Sequence, residues 1–129
     1  MVHNFELRVY YEDTDLAGIV YYANYLKFIE RARTEWVRDI GIDQTELKAS
    51  DGIVFAVRRV EADYLSPAKF DDELVVQTSP VQVTGARIVL QQDVKRGQEV
   101  LFSAVVTIVA LSETGHPVRL PGNIRLMLH

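Results

Sequence analysis

Residues 10–33 read YYEDTDLAGIVYYANYLKFIERAR, and the change of period within and around this stretch decides the fold. On its N-terminal side, residues 5–12 (FELRVYYE) place Phe5, Leu7, Val9 and Tyr11 in the alternation of a strand. Asp13 to Gly18 break that alternation with turn chemistry. From residue 21 to 40 the spacing turns helical, with Tyr22, Leu26, Ile29 and Trp36 on one face, Tyr25, Ala32 and Ile40 beside them, and Arg33 as an exception. Lys27, Glu30, Arg31, Glu35 and Arg38 fill the other side. The pattern predicts one amphipathic helix of about 18 residues that stops near Gly41 and, at ~1.5 Å per residue, spans ~27 Å.

After a linker with a helical turn over residues 44–49, the period changes again. Residues 53–65, 73–83, 86–96 and 99–111 are long and strand-like. They are separated by Ser66-Pro67, Thr84-Gly85 and Arg96-Gly97-Gln98, which make the last three strands antiparallel hairpin partners. Pro80 inside one strand predicts a bulge or an edge position. The order is strand, helix, then four strands, an α+β fold in which a sheet of about five strands is served by one long central helix. The last strand is apolar on both faces, Phe102, Ala104, Val106 and Ile108 against Leu101, Val105 and Val109, so its second face calls for cover from a second copy of the chain.

The length of 129 residues predicts a single domain, 1–129. Hydrophobic residues at 48% and charged residues at 25% match an ordinary globular domain and exclude low-complexity sequence. Eighteen acids against fourteen bases give a net charge of -4, which supplies no field to hold a polyanion. With Cys 0 there is no disulfide, thiolate metal site or cysteine nucleophile. The first residues carry acids where a secretion signal needs a basic then apolar run, and no apolar run reaches the ~18 residues of a membrane span. The expectation is a soluble, cytoplasmic protein without a nucleic-acid partner.

Several chemistries fail on residue type. Asp13, Asp15 and Gly18 match positions of a calcium loop, but Ala17 and Asn24 stand where two further ligands belong, and a strand rather than a helix precedes. His3, His116 and His129 have no partner at metal-ligand spacing. No nucleophile elbow, P-loop or dinucleotide fingerprint occurs. What remains is Asp15, seven residues before Tyr22 at the start of the helix. Free N–H groups in a first helical turn can hold a carbonyl oxygen that becomes negative, and a nearby carboxylate can attack an acyl carbon or activate water. Asp and Thr before a helix also serve as caps and Asx turns, so spacing alone leaves both roles open.

The run Y-x-D-T-D-x-x-G-x-V-Y-x-x-x-Y-x-x-x-x-E-x-A-R, from Tyr11 to Arg33, together with VRRVEADYLSPAKFDDEL over residues 57–74, resembles the 4-hydroxybenzoyl-CoA thioesterase family of hotdog-fold proteins. Within it, the likeness is to the Tol-Pal-associated, YbgC-type acyl-CoA thioesterases. The resemblance implies a hotdog fold and hydrolysis of acyl-CoA to a free acid and CoA, without cofactor or metal. It also implies a homodimer, often paired again into a homotetramer, with active sites between subunits. The family's catalytic aspartate falls on Asp15, as nucleophile or general base, and the backbone N–H that polarises the carbonyl falls on Tyr22. Gly18 carries over as the loop glycine, and Phe55 and Val57 would line the acyl pocket from the partner subunit. The chain departs at Tyr22, where YbgC-type members commonly carry histidine; a backbone role survives that change, while a tyrosine side chain is closer to the aryl-CoA branch. The alternative is a non-catalytic module that binds acyl-CoA or acyl-carrier protein in the same groove. A hotdog dehydratase needs an active-site histidine, and none lies near the motif.

Overall fold

Alternation along the second half of the chain produces three long antiparallel hairpin partners, and the rest of the molecule is arranged on them. The computed structural model describes residues 2–128, so His129 lies outside the described residues. The elements are β1 (His3–Arg8), α1 (Asn24–Asp39), α2 (Gln44–Asp51), β2 (Val54–Tyr64), β3 (Glu73–Val83), β4 (Ile88–Arg96), β5 (Glu99–Leu111), β6 (Pro117–Val118) and α3 (Gly122–Met127). One antiparallel sheet runs in the order β1-β3-β4-β5-β2, with β6 also paired to β5. Because β2 already occupies one side of Ala110 and Leu111, β6 lies on the other side, beyond the point where β4 ends opposite Ile108.

Three expectations are corrected. The sheet has six strands rather than five, since Pro117 and Val118 fold back after a turn closed by the Ser112 N–H on the His116 carbonyl, 2.8 Å. The first strand ends at Arg8 instead of residue 12, because the Asp13 carboxylate accepts the Tyr10 N–H at 2.8 Å and winds residues Tyr11–Asp13 into a 3-10 turn. The long helix begins at Asn24, as the Tyr21 N–H is drawn to the Asp13 carbonyl at 2.9 Å. The Pro80 expectation holds: the β3–β4 register shifts between Pro80 and Gln82, past the last residue that β1 pairs, Thr78.

The buried stripe of α1 is Tyr25, Phe28, Ile29, Ala32, Trp36 and Val37, and the helix packs on β1, β3 and β4. Tyr22 and Leu26, expected on that stripe, are exposed. Asp43 caps α2 by accepting the Glu46 N–H at 3.0 Å, and Gly52 closes it at φ 65, a left-handed position that suits glycine. Leu120, Ile124 and Leu128 bury the inner side of α3.

β2 pairs only with β5 among the described residues, which leaves an eleven-residue edge open. Directly opposed residues share a face. Val57, Val60 and Tyr64, opposite the buried Ile108, Val106 and Phe102, therefore point to the helix side, yet all three are exposed. Val105 and Val109, expected to need cover, are half-buried. The apolar surface in want of a partner thus lies on the inward side of β2 rather than on the second face of β5.

Among the described residues, two polar side chains are fully buried, Thr78 and Gln92. The Gln92 amide donates to the Ile29 carbonyl and to the Thr78 hydroxyl, each at 2.9 Å, and its oxygen accepts from Arg33 Nη1 at 3.0 Å. This network fixes α1 against β3 and β4 at one register and explains Arg33 on an otherwise apolar stripe. Burial pushes the Arg33 pKa down, with Glu30 opposing. Gln92→Leu strands the Thr78 hydroxyl and the Arg33 guanidinium, so urea unfolding at fixed protein concentration is expected to show a loss of about 1–3 kcal/mol.

Candidate active site

The acidic loop is a small closed structure. Bridges join Thr14 to Val20 and Ile19 to Lys69, the Asp15 N–H donates to the Ile19 carbonyl at 2.9 Å, and the Gly18 N–H donates to the Asp15 carbonyl at 3.0 Å. Gly18 has φ 78 with open space around it, so the cost of a side chain there is backbone strain alone. One Asp15 oxygen, Oδ1, accepts the Ala17 N–H at 2.9 Å. The other has no partner among the described residues, and the exposed Asp15 side chain borders an open cleft of about 530 Å³ together with Tyr11, Thr14, Leu16, Gly18 and Phe70.

The loop is pinned from below by residues 66–72. The buried Val20 donates its N–H to the Ala68 carbonyl at 2.9 Å, and the Ala68 N–H donates to the Tyr25 hydroxyl at 3.0 Å. Burial raises the Tyr25 pKa, against the lowering effect of that hydrogen bond. Tyr25 stacks on Phe102 with centroids 5.1 Å apart and planes 8° apart, which seats the start of α1 on the sheet.

α1 begins without a capping side chain. Among the described residues, the Tyr22 and Ala23 N–H groups have no acceptor, while the Tyr21 carbonyl accepts the Asn24 N–H at 2.8 Å and the Tyr22 carbonyl accepts the Tyr64 hydroxyl at 3.0 Å. The Asn24 amide reaches back to the Asp13 carbonyl at 2.9 Å. The chain thus returns beside its own acidic loop immediately before presenting two free donors at the positive end of a sixteen-residue helix.

Asp15 and Gly18 share the cleft, and Tyr22 follows at the helix start. Phe55 and Val57 are not brought to Asp15 within one chain; they line a separate cavity of about 230 Å³ with Arg33, Trp36 and Ile108. Sequence reasoning missed Tyr64, Ala68 and Asp72, although all three lie in the 57–74 stretch that carries the family resemblance. Among the described residues, no group of three or more His, Asp or Glu side chains is placed to hold a metal ion. His3 Nε2 pairs with Asp39 at 2.8 Å, and His116 Nδ1 with the Thr114 hydroxyl at 2.9 Å. Among the described residues, no helix is long and apolar enough to cross a membrane.

A sequence model of the thioesterase superfamily matches residues 17–103. The chain belongs to this superfamily. An acyl-CoA thioesterase YbgC of Haemophilus influenzae is 41% identical over 128 residues, covering 98% of this chain and 93% of that protein. The crystal structure of a probable thioesterase from Bartonella henselae is 40% identical, with a TM-score of 0.89 over 94% of this chain and 100% of that one. A 4-hydroxybenzoyl CoA thioesterase mutant, only 20% identical, shares the fold with a TM-score of 0.91 over 99% of both chains. The six-stranded sheet with its long helix is therefore the hotdog fold of this superfamily.

The segment beneath the acidic loop carries its own charge network. Asp72 Oδ2 accepts the Lys69 N–H at 2.8 Å and Arg96 Nη1 at 2.7 Å, while Arg96 Nη2 reaches Glu99 at 2.8 Å. Burial pushes the Asp72 carboxyl up, but the Lys69 N–H and Arg96 outweigh it and hold it below its ordinary value. Arg96, then Ser66, likewise lower Glu99. A depressed carboxylate stabilises the fold above the ordinary carboxylate range and loses that contribution as pH falls through its folded-state value. Between about pH 5 and pH 3, the thermal midpoint of the unaltered protein is expected to drop more steeply than that of Asp72→Asn, measured by circular dichroism across the range.

Proposed function

We propose that this protein is an acyl-CoA thioesterase that hydrolyses the thioester to a free carboxylic acid and CoA, with a homodimer as its working unit. One juxtaposition carries the reading. Asp15, bordering an open cleft with one carboxylate oxygen free, is tied by a closed loop to the uncapped start of α1, where the Tyr22 N–H has no acceptor. A relative named as an acyl-CoA thioesterase, 41% identical over nearly the whole chain, supports the substrate class.

The Tyr22 N–H receives the thioester carbonyl oxygen, whose negative charge grows as the carbon becomes tetrahedral, and the helix dipole adds to that stabilisation. Asp15 either adds to the carbonyl carbon, to be released by water, or takes a proton from the attacking water. In both courses the C–S bond breaks, CoA leaves as a thiolate that then takes a proton, and water supplies the oxygen of the new acid. The open edge of β2 and its exposed Val57, Val60 and Tyr64 favour pairing with the same strand of a second chain. Phe55 and Val57 of one chain then line the acyl pocket beside Asp15 and Gly18 of the other.

Asp15→Asn retains an oxygen to accept the Ala17 N–H, so the loop is expected to survive while thiol release falls by about a thousandfold on the best of an aliphatic and benzoyl acyl-CoA series. Turnover within a few-fold of the unaltered enzyme contradicts the proposal.

A further inference from the structure

One hydroxyl that the mechanism does not use is bonded to the backbone at the helix start. Tyr64 stands at the end of the edge strand β2, and its side chain crosses to α1, where Oη donates to the Tyr22 carbonyl at 3.0 Å. Its ring meets Tyr22, Tyr25 and Phe102 edge-on, with centroids 6.1, 5.6 and 5.0 Å away, so its orientation is fixed from three sides. Tyr25, another tyrosine of this cluster, has its hydroxyl committed to the Ala68 N–H. Tyr64 is thus the side chain that holds the peptide following Tyr22.

That peptide has its carbonyl on Tyr22 and its N–H on Ala23, and this N–H has no acceptor. A hydrogen bond into a peptide carbonyl fixes the plane of the unit and polarises its N–H, strengthening it as a donor. We infer that Tyr64 is a positioning residue for thioester hydrolysis: by donating to the Tyr22 carbonyl it holds the Tyr22–Ala23 peptide just before α1, and with it the backbone of Tyr22, whose N–H receives the developing oxyanion, and the neighbouring free N–H of Ala23. It touches no reacting atom. Burial raises its pKa, with Tyr22 and Tyr25 adding to the shift, so the hydroxyl remains a donor through the mildly alkaline range of thiol-release assays.

This inference rests on the thioesterase reading, and two sets of variants separate the failures. Tyr64→Phe keeps the ring and its edge contacts and removes only the hydroxyl. Its kcat is expected to fall about tenfold, with KM, thermal midpoint and sedimentation unchanged. A spectroscopic arm reads the same effect without turnover: with the best-hydrolysed acyl-CoA, labelled with ¹³C at its carbonyl, bound to Asp15→Asn, the infrared carbonyl band is expected to shift to lower frequency. In the Asp15→Asn, Tyr64→Phe double variant the shift should shrink. An unchanged kcat in Tyr64→Phe overturns the inference, as does a loss of kcat with no change in the bound carbonyl band. Full turnover by Asp15→Asn overturns instead the reading on which it rests.

Discussion

The backbone of Ala68 is the joint on which the rest of the site depends. This fully buried residue accepts from Val20 in the acidic loop and donates to the Tyr25 hydroxyl in the first turn of α1. One peptide segment therefore fixes the height of the loop and of the helix start together. Loss of either bond leaves a buried polar group without a partner, which is far costlier than the small net gain of making the bond. The small side chain at position 68 fits that role, because the loop and helix both close against it.

From this joint the constraints run outward in both directions. Below it, Asp72 and Arg96 brace the 66–72 segment against β4. Above it, Tyr25 stacks on Phe102 and Tyr64 grips the Tyr22 carbonyl, so the uncapped helix end is held rigidly while its N–H groups stay free. A capping side chain at Ala23 would accept an N–H of the first helical turn, from Tyr25 or Leu26, and stabilise the helix by about 1 kcal/mol. Its absence is consistent with a helix end used for substrate rather than for local stability.

Much of this was legible in the sequence, and the limit was one of range. Helical spacing over 21–40, alternation over 73–83 and 99–111, and the proline at 80 each report on neighbours a few residues away; the strands and the bulge appear where expected, and the helix starts three residues late, at Asn24. Asp15 and Gly18 were legible as a loop for the same reason. Tyr64 reaches Tyr22 across 42 positions and Ala68 reaches Tyr25 across 43, and no local period encodes such contacts. The C-terminal end was missed for a different reason. Leu120, Ile124 and Leu128 do repeat every four residues, but α3 is only six residues long and shows its apolar side through packing.

The central claim is that one chain supplies Asp15 and the helix end while the edge strand of a second chain completes the pocket. Subunit mixing tests it directly. Asp15→Asn and Val57→Arg chains, each inactive alone, are unfolded together, refolded as an equal mixture and assayed for thiol release. Random pairing makes half of the dimers hybrids, each with one intact site, so the account predicts recovery of about a quarter of the unaltered activity. A mixture no more active than the average of the two parents contradicts it.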